Sequence, residues 1–221
     1  MRYEVTVQMV EIYMEKIQDL LVPAAKRTVK DLPIKSSPAG VYVQGAKKSL
    51  VTNYDDIQRV IDTGENNRTI GATQMNKTSS RSHTVVTIDF QKVTKLGGKE
   101  GRLRSMINIV DLAGSEKQNQ AGTTGDRLAE GNAINKSLSC LGNVIEVLAD
   151  HCMGKNLKAV VPYRDSKLTM MLKDALGGNS ATIMIAAIRP GHAYYEETLA
   201  TLRYADRAKK IKNKPTINED P

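Results

Sequence analysis

The order of apolar and polar positions along the 221 residues predicts strands and helices in alternation. YEVTVQMVEIY, residues 3–13, alternates β-forming residues as a half-buried strand does. EKIQDLL then turns helical until Pro23, whose ring cannot continue a helix. Residues 23–40, rich in Pro, Ser and Lys, read as a surface loop. Thr52 or Asn53 is placed to cap a helix through IQRVI that ends near Gly64, with Asp55 and Asp56 in the first turn, where the helix dipole favours negative charge. HTVVTIDFQKV and RLRSMINIVDL predict two strands joined by the hairpin loop KLGGKEG. From Asn132 to Leu148, residues Ile134, Leu138, Leu141, Ile145 and Leu148 recur every three or four positions, with Asn135, Lys136, Asn143 and Glu146 off that stripe. RDSKLTMMLKDAL, with Asp165 or Ser166 as its cap, predicts a shorter helix ended by Gly177-Gly178. ATIMIAAI is an uninterrupted apolar run and predicts a strand covered on both faces, and EETLATLRYADRAKKIK predicts a last helix. Strands alternating with helices put the chain in the α/β class.

Composition narrows the partners. The net charge is +8, and the positive residues cluster: residues 155–173 hold five basic residues and one acid, and residues 203–214 hold six and one. With no Trp and one Phe, the chain has little with which to stack bases, so an acidic protein lattice fits these stretches as well as nucleic acid or better, with a plain solvated helix face as the alternative. No run of 18 apolar residues offers a membrane span, and MRYEVTVQMV lacks the pattern of a signal peptide, so a cytoplasmic location without direct membrane contact is expected. Cys140, Cys152, His83, His151 and His192 show no paired metal-ligand spacing, and the two cysteines are expected as buried thiols.

Two stretches carry chemistry. NKTSSRSH, residues 76–83, has four hydroxyl side chains and no apolar residue to bury. INIVDLAGSE runs an apolar strand into Asp111, with Gly114 three residues on and Glu116 beyond. A carboxylate at the end of a buried strand can hold a water on Mg²⁺, and a glycine lets a backbone N–H approach a phosphate. Ser and Thr hydroxyls suit the same ion and phosphate, and Arg81 could pair with Glu116 to latch one loop to the other.

These residues resemble the kinesin motor domain. NKTSSRSH is similar to that family's switch I signature and DLAGSE to its switch II signature. INKSLSCLGNVIEVL resembles the switch II helix, VPYRDSKLTMMLKDALGGN the microtubule-facing helix, and ETLATLRYADRAKKIKN the final helix. The resemblance implies a P-loop NTPase-type, three-layer α/β motor domain over residues 1–210, its central sheet mostly parallel with helices on both faces, and a neck linker at 211–221 whose INEDP is most like the vesicle-carrying third class. It implies ATP and Mg²⁺ as cofactors, microtubules as partner, and dimerisation, if any, through segments outside this chain. Asn76, Ser79 and Ser80 match positions around the terminal phosphate, Ser80 on the metal side. Asp111 matches the carboxylate holding the metal through water, Gly114 the phosphate sensor, and Arg81 with Glu116 the pair that positions the attacking water. Lys136, Arg164 and Lys167 fall in segments similar to those that meet tubulin.

One departure is plain. G-x-x-x-x-G-K-S/T, the phosphate-binding loop, occurs nowhere in the 221 residues, and the family places it, with neighbouring strands of the sheet, before the point where this sequence begins. The expectation is a partial motor that alone binds ATP weakly, with a truncated non-catalytic microtubule-binding module as the alternative. A GTPase-like switch is disfavoured, since NKTS and NKSL both miss the aspartate of N-K-x-D.

Overall fold

The computed structural model describes residues 1–29, 31–37, 40–74, 81–96, 99–115 and 126–220. They divide into two compact units, residues 1–114 with 217–221, and residues 115–216.

The first unit is built on a sheet. Its strands are β1 (Arg2–Tyr13), β2 (Lys16–Asp19), β5 (Ser49–Val51), β6 (His83–Leu96), β7 (Lys99–Asp111) and β8 (Glu219–Asp220), in the order β2-β1-β6-β7-β8 with β5 also beside β1. A separate hairpin joins β3 (Ile34–Ser37) to β4 (Gly40–Val43), within the stretch expected as loop. The expected strand at 3–13 and the hairpin around KLGGKEG are present. EKIQDLL is not helical: Met14 and Glu15 take φ of 50° and 58°, a two-residue turn that folds β2 back on β1 with Ile12 opposite Ile17. The parallel pairing expected of the sheet is also absent among the described residues, where every ladder is antiparallel; two of these ladders, β1 with β2 and β6 with β7, join strands consecutive in the chain, which short connections pair in that sense.

Helix α1 (Tyr54–Gln74) covers one face of β1. Asn53 caps it, its Oδ1 accepting from Asp56 N at 2.9 Å, while Thr52 N and Oγ1 donate to the Asp56 carboxylate at 2.9 and 2.7 Å. Those bonds, Thr52 Oγ1 first, hold the Asp56 pKa down to about 2. Ile57, Val60 and Ile61 pack on a core of Val7, Met9, Leu20, Leu21, Val51 and Val86. The helix does not end at Gly64. That glycine is buried mid-helix, where a Cβ would lie 2.1 Å from Met9 Sδ, so it permits close approach to the sheet.

The second unit is helical: α2 (Asp126–Cys152), with α3 (Lys167–Met171) and α4 (Tyr195–Ala208) packed on it. Leu141, Val144, Ile145, Leu148 and Ala149 form the buried stripe of α2. Ser166 caps α3 in a reciprocal box with Thr169, at 3.1 and 3.3 Å. Cys140 is buried and Cys152 half-buried. The run ATIMIAAI departs from expectation. Residues 181–188 join no ladder among the described residues, and Ile183 and Ile185 are each 90% exposed. Its composition suits a covered strand, but composition does not supply the cover.

The C-terminal segment is fastened within each unit. Asn213 Nδ2 donates to Ala175 O, Ser180 O and Thr182 Oγ1 at 2.8–2.9 Å, and its Oδ1 accepts from Gly177 N at 2.7 Å. Lys214 N donates to Gly178 O and Thr216 N to Asn179 Oδ1, so the N–H that Pro215 lacks falls between two that are used. In the first unit, Arg104 N donates to Asn218 O at 3.1 Å and β8 pairs with Arg102 and Leu103.

Candidate functional site

The chemistry-bearing residues of the first unit gather at one end of the sheet. By register, Glu11 on β1, Thr84 on β6 and Asp111 on β7 stand in a row across three strands. Successive strand residues face opposite sides, so this row extends the apolar rows through Met9 and Val7 that α1 covers. Arg68, on the last turns of α1, lies over the row. Its Nε is 3.7 Å from Glu11 Oε1 and its Nη1 3.7 Å from Asp111 Oδ2. Its Nη2 donates to Ser82 O and Oγ at 3.3 and 3.2 Å. One guanidinium therefore touches β1, the end of β7 and the residues leading into β6, and its planar fork of five donors is suited to that.

On the opposite face, His83 opens β6. The ring is 3% exposed, and its Nδ1 accepts from Ala113 N at 2.9 Å. Burial pulls its pKa down to about 4, against the upward pull of the Asp111 charge. The imidazole is neutral at physiological pH, with its proton on Nε2.

Of the residues singled out from sequence, Arg81 is half-buried just before β6, Asp111 ends β7 with a side chain 76% exposed, and Gly114 is half-buried three residues on. Asn76, Ser79, Ser80 and Glu116 lie outside the described residues. Lys136 is exposed on α2, Arg164 is exposed just before α3, and Lys167 is half-buried at the start of α3. Sequence reasoning did not single out Arg68, Glu11 or the role of His83. The signal was present for two of them: Glu11 continues the Val5, Val7, Met9 alternation, and Arg68 continues the Ile57, Ile61, Gly64 stripe, each with a charge where an apolar residue is due.

The donors fit a hydrated Mg²⁺. Asp111 presents an exposed carboxylate, and the buried Thr84 hydroxyl opposite it makes no hydrogen bond among the described residues. Hard oxygens and few protein ligands suit an ion that keeps its waters and is shared with phosphate. Among the described residues no group of three or more His, Cys, Asp or Glu could hold a metal alone.

Comparison with known proteins gives the family of the chain. The profile of the family described as Kinesin motor domain matches residues 1–211. Kinesin-like protein KIF13B of Homo sapiens is 49% identical over 99% of this chain and 12% of its own length. Kinesin-related protein 1 of Dictyostelium discoideum is 52% identical over 99% of this chain and 10% of its own. The chain thus spans a small part of the curated relatives it matches. Among solved structures, a KIF14 dimer in a two-heads-bound state, with AMP-PNP and in complex with a microtubule, matches at TM-score 0.84 and 44% identity, over 99% of this chain and 61% of that one. A fast kinesin matches at TM-score 0.85 and 43% identity, over 99% and 59%. With the family profile covering nearly the whole chain and relatives about half identical along it, this chain belongs to the kinesin motor domain family.

Proposed function

We propose that the chain is the phosphate-sensing and filament-facing part of a motor that couples ATP hydrolysis to movement along microtubules, acting in the cytoplasm on the cytoskeleton. The observation that carries this is the position of Asp111 and Gly114 at the end of β7, held from α1 by Arg68 and from β6 by His83. A carboxylate so placed can orient a water, and the segment behind it can report whether a phosphate is present.

In this reading Asp111 holds Mg²⁺ through water, with Ser80 as the second oxygen donor. Mg²⁺ held there would supply charge neutralisation for a transferring phosphate. Arg68 keeps Asp111 close to the sheet end and so sets the direction from which the carboxylate works. Arg81 and Glu116 form the latch that positions the attacking water, Asn76 and Ser79 line the terminal phosphate, and residues 211–221 are the linker that follows the motor. Lys136, Arg164 and Lys167 meet acidic tubulin; the exposure of Lys136 and Arg164 and the basic run 155–173 support this. Among the described residues no helix is long and apolar enough to cross a membrane.

The 221 residues alone are proposed to bind MgATP weakly, because they contain no G-x-x-x-x-G-K-S/T to cradle the phosphates. Cosedimentation with microtubules tests the partner, and isothermal titration with MgATP tests the nucleotide. Failure to pellet with microtubules at low salt would refute the motor reading. Tight MgATP binding by the chain alone would refute the proposed weakness, and filament affinity indifferent to nucleotide in every context would favour the non-catalytic binding module.

A further inference from the structure

We propose that His83 is a positioning residue that clasps the DLAG segment to the end of NKTSSRSH, so that displacement of either loop moves the other. The proposal rests on the motor reading above and assigns a role to a residue that the family resemblance leaves without one.

The geometry is specific. The β6/β7 ladder ends at Thr84 opposite Asp111. Beyond that pair the strands no longer exchange backbone bonds, yet His83, next to Thr84, and Ala113, two residues past Asp111, are still joined, because the Ala113 amide donates to His83 Nδ1 at 2.9 Å. A side-chain acceptor here takes the place of the next ladder bond. Both partners are nearly closed to solvent, His83 at 3% and Ala113 at 4% exposure, so water cannot substitute when the bond opens. The bond commits the Ala113 N–H to the protein interior and withholds it from any ligand. Gly114, expected to sense phosphate, is bonded directly to a residue thus held. On the other side, His83 is the last residue of NKTSSRSH, two after Arg81. The rigid ring leaves little slack: His83 and Ala113 can separate only by breaking the bond.

The requirement is an acceptor at the Nδ1 position. Asparagine places its Oδ1 near there, whereas glutamine, equally polar, reaches toward the Nε2 position instead. The test compares wild type, His83→Asn and His83→Gln by residue-resolved amide exchange, with unfolding midpoints measured alongside. His83→Gln should speed exchange of the Ala113 amide by about tenfold or more relative to the β1 amides of the same variant, and His83→Asn should keep it within about threefold of wild type. Equal Ala113 protection in both variants, or equal loss in both, overturns the proposal. If His83→Gln does not fold, the wild-type imidazole decides by itself through its long-range proton–nitrogen spectrum. An Nε2–H tautomer is expected, and an Nδ1–H tautomer overturns the proposal. Microtubule cosedimentation of the three proteins with ADP and with a non-hydrolysable ATP analogue adds the functional arm. Where wild type responds to nucleotide, His83→Gln should bring the ratio of the two affinities toward one and His83→Asn should preserve it; an unchanged ratio in His83→Gln overturns the coupling. A wild-type chain that by itself ignores nucleotide is what weak MgATP binding by these 221 residues predicts, and the exchange experiment then decides the role of His83.

Discussion

Substituting Gly64 by alanine sets two known effects against each other. Alanine is the better helix former by about 1 kcal/mol, so on an exposed face of α1 the change would stabilise. Gly64 is buried against β1, and the added Cβ would lie 2.1 Å from Met9 Sδ, 3.2 Å from Cε and 3.3 Å from Cγ, where about 3.5–4.0 Å is comfortable. Met9 is flexible but only 2% exposed, and it sits among Val7, Leu20, Leu21 and Val86, so its thioether has nowhere open to go. Overpacking of this kind costs about 1–3 kcal/mol, which outweighs the helix gain and leaves Gly64→Ala destabilised by about 1 kcal/mol. Urea unfolding followed by far-UV circular dichroism gives the number, and amide exchange in β1 assigns the transition to the right unit. The stronger check is a reversal of sign. Met9→Ala alone costs about 2–5 kcal/mol through the cavity it leaves. In that background the steric opponent is gone, and Gly64→Ala should stabilise by about 1 kcal/mol, a coupling between the two sites of about 2 kcal/mol. A higher midpoint for Gly64→Ala with Met9 intact, or additive effects in the double variant, would refute the close-approach reading.

Acid should act through His83. Its folded pKa of about 4 lies below the ordinary histidine value of 6.5, so between those values the unfolded chain binds the proton first and stability falls as pH falls, levelling off below about 4. At about 1.4 kcal/mol per pH unit the loss is about 3 kcal/mol, and His83→Asn should remove that component from the pH dependence of the urea midpoint. Arg68→Met strips the cation from the buried Glu11 carboxylate 3.7 Å away and should cost about 3 kcal/mol, part of which Glu11→Gln in the same chain should recover; a neutral single variant would show that the pair holds nothing. Asn213→Ala removes the amide that bonds Ala175, Gly177, Ser180 and Thr182, and limited proteolysis should then cut residues 211–218 several-fold faster with the unfolding midpoint of α2 unchanged.

What the sequence made legible was whatever local pattern decides. The alternation of 3–13, the pairing of β6 with β7, the stripe of α2 and the caps at Asn53 and Ser166 all appear where the pattern puts them. What failed depended on neighbours distant in the chain. Met14 and Glu15 carry no glycine or asparagine to announce a turn with positive φ, so the β2 return read as helix. Gly64 read as a helix end because nothing local reveals Met9 on its other side. The apolar run 181–188 gave the strand's composition without its partners. At the sheet end, spacing singled out Asp111 and Gly114, whereas Arg68 and Glu11 were passed over. A charge set in an apolar stripe looks like an interruption until the register shows that both charges end in the same row as Asp111.

The fastening of the last residues has a mechanical meaning. Pulled from the C-terminal end, residues 213–220 present their bonds in chain order: the short β8 pairing and Asn218 on β7 first, then Thr216, Lys214 and finally the Asn213 amide. Such a strip peels, with each bond bearing the whole tension in turn, so it lets go at low force and closes again when the tension drops. The long β6/β7 ladder, loaded along its length, shares force across many bonds and holds. A tug at the chain's end therefore meets the edge of the sheet at β7 first, through the short β8 pairing and Asn218. The loop at 175–182 feels the pull first through Thr216 on Asn179, and Asn213, with four bonds to that loop, is its last hold on the strip.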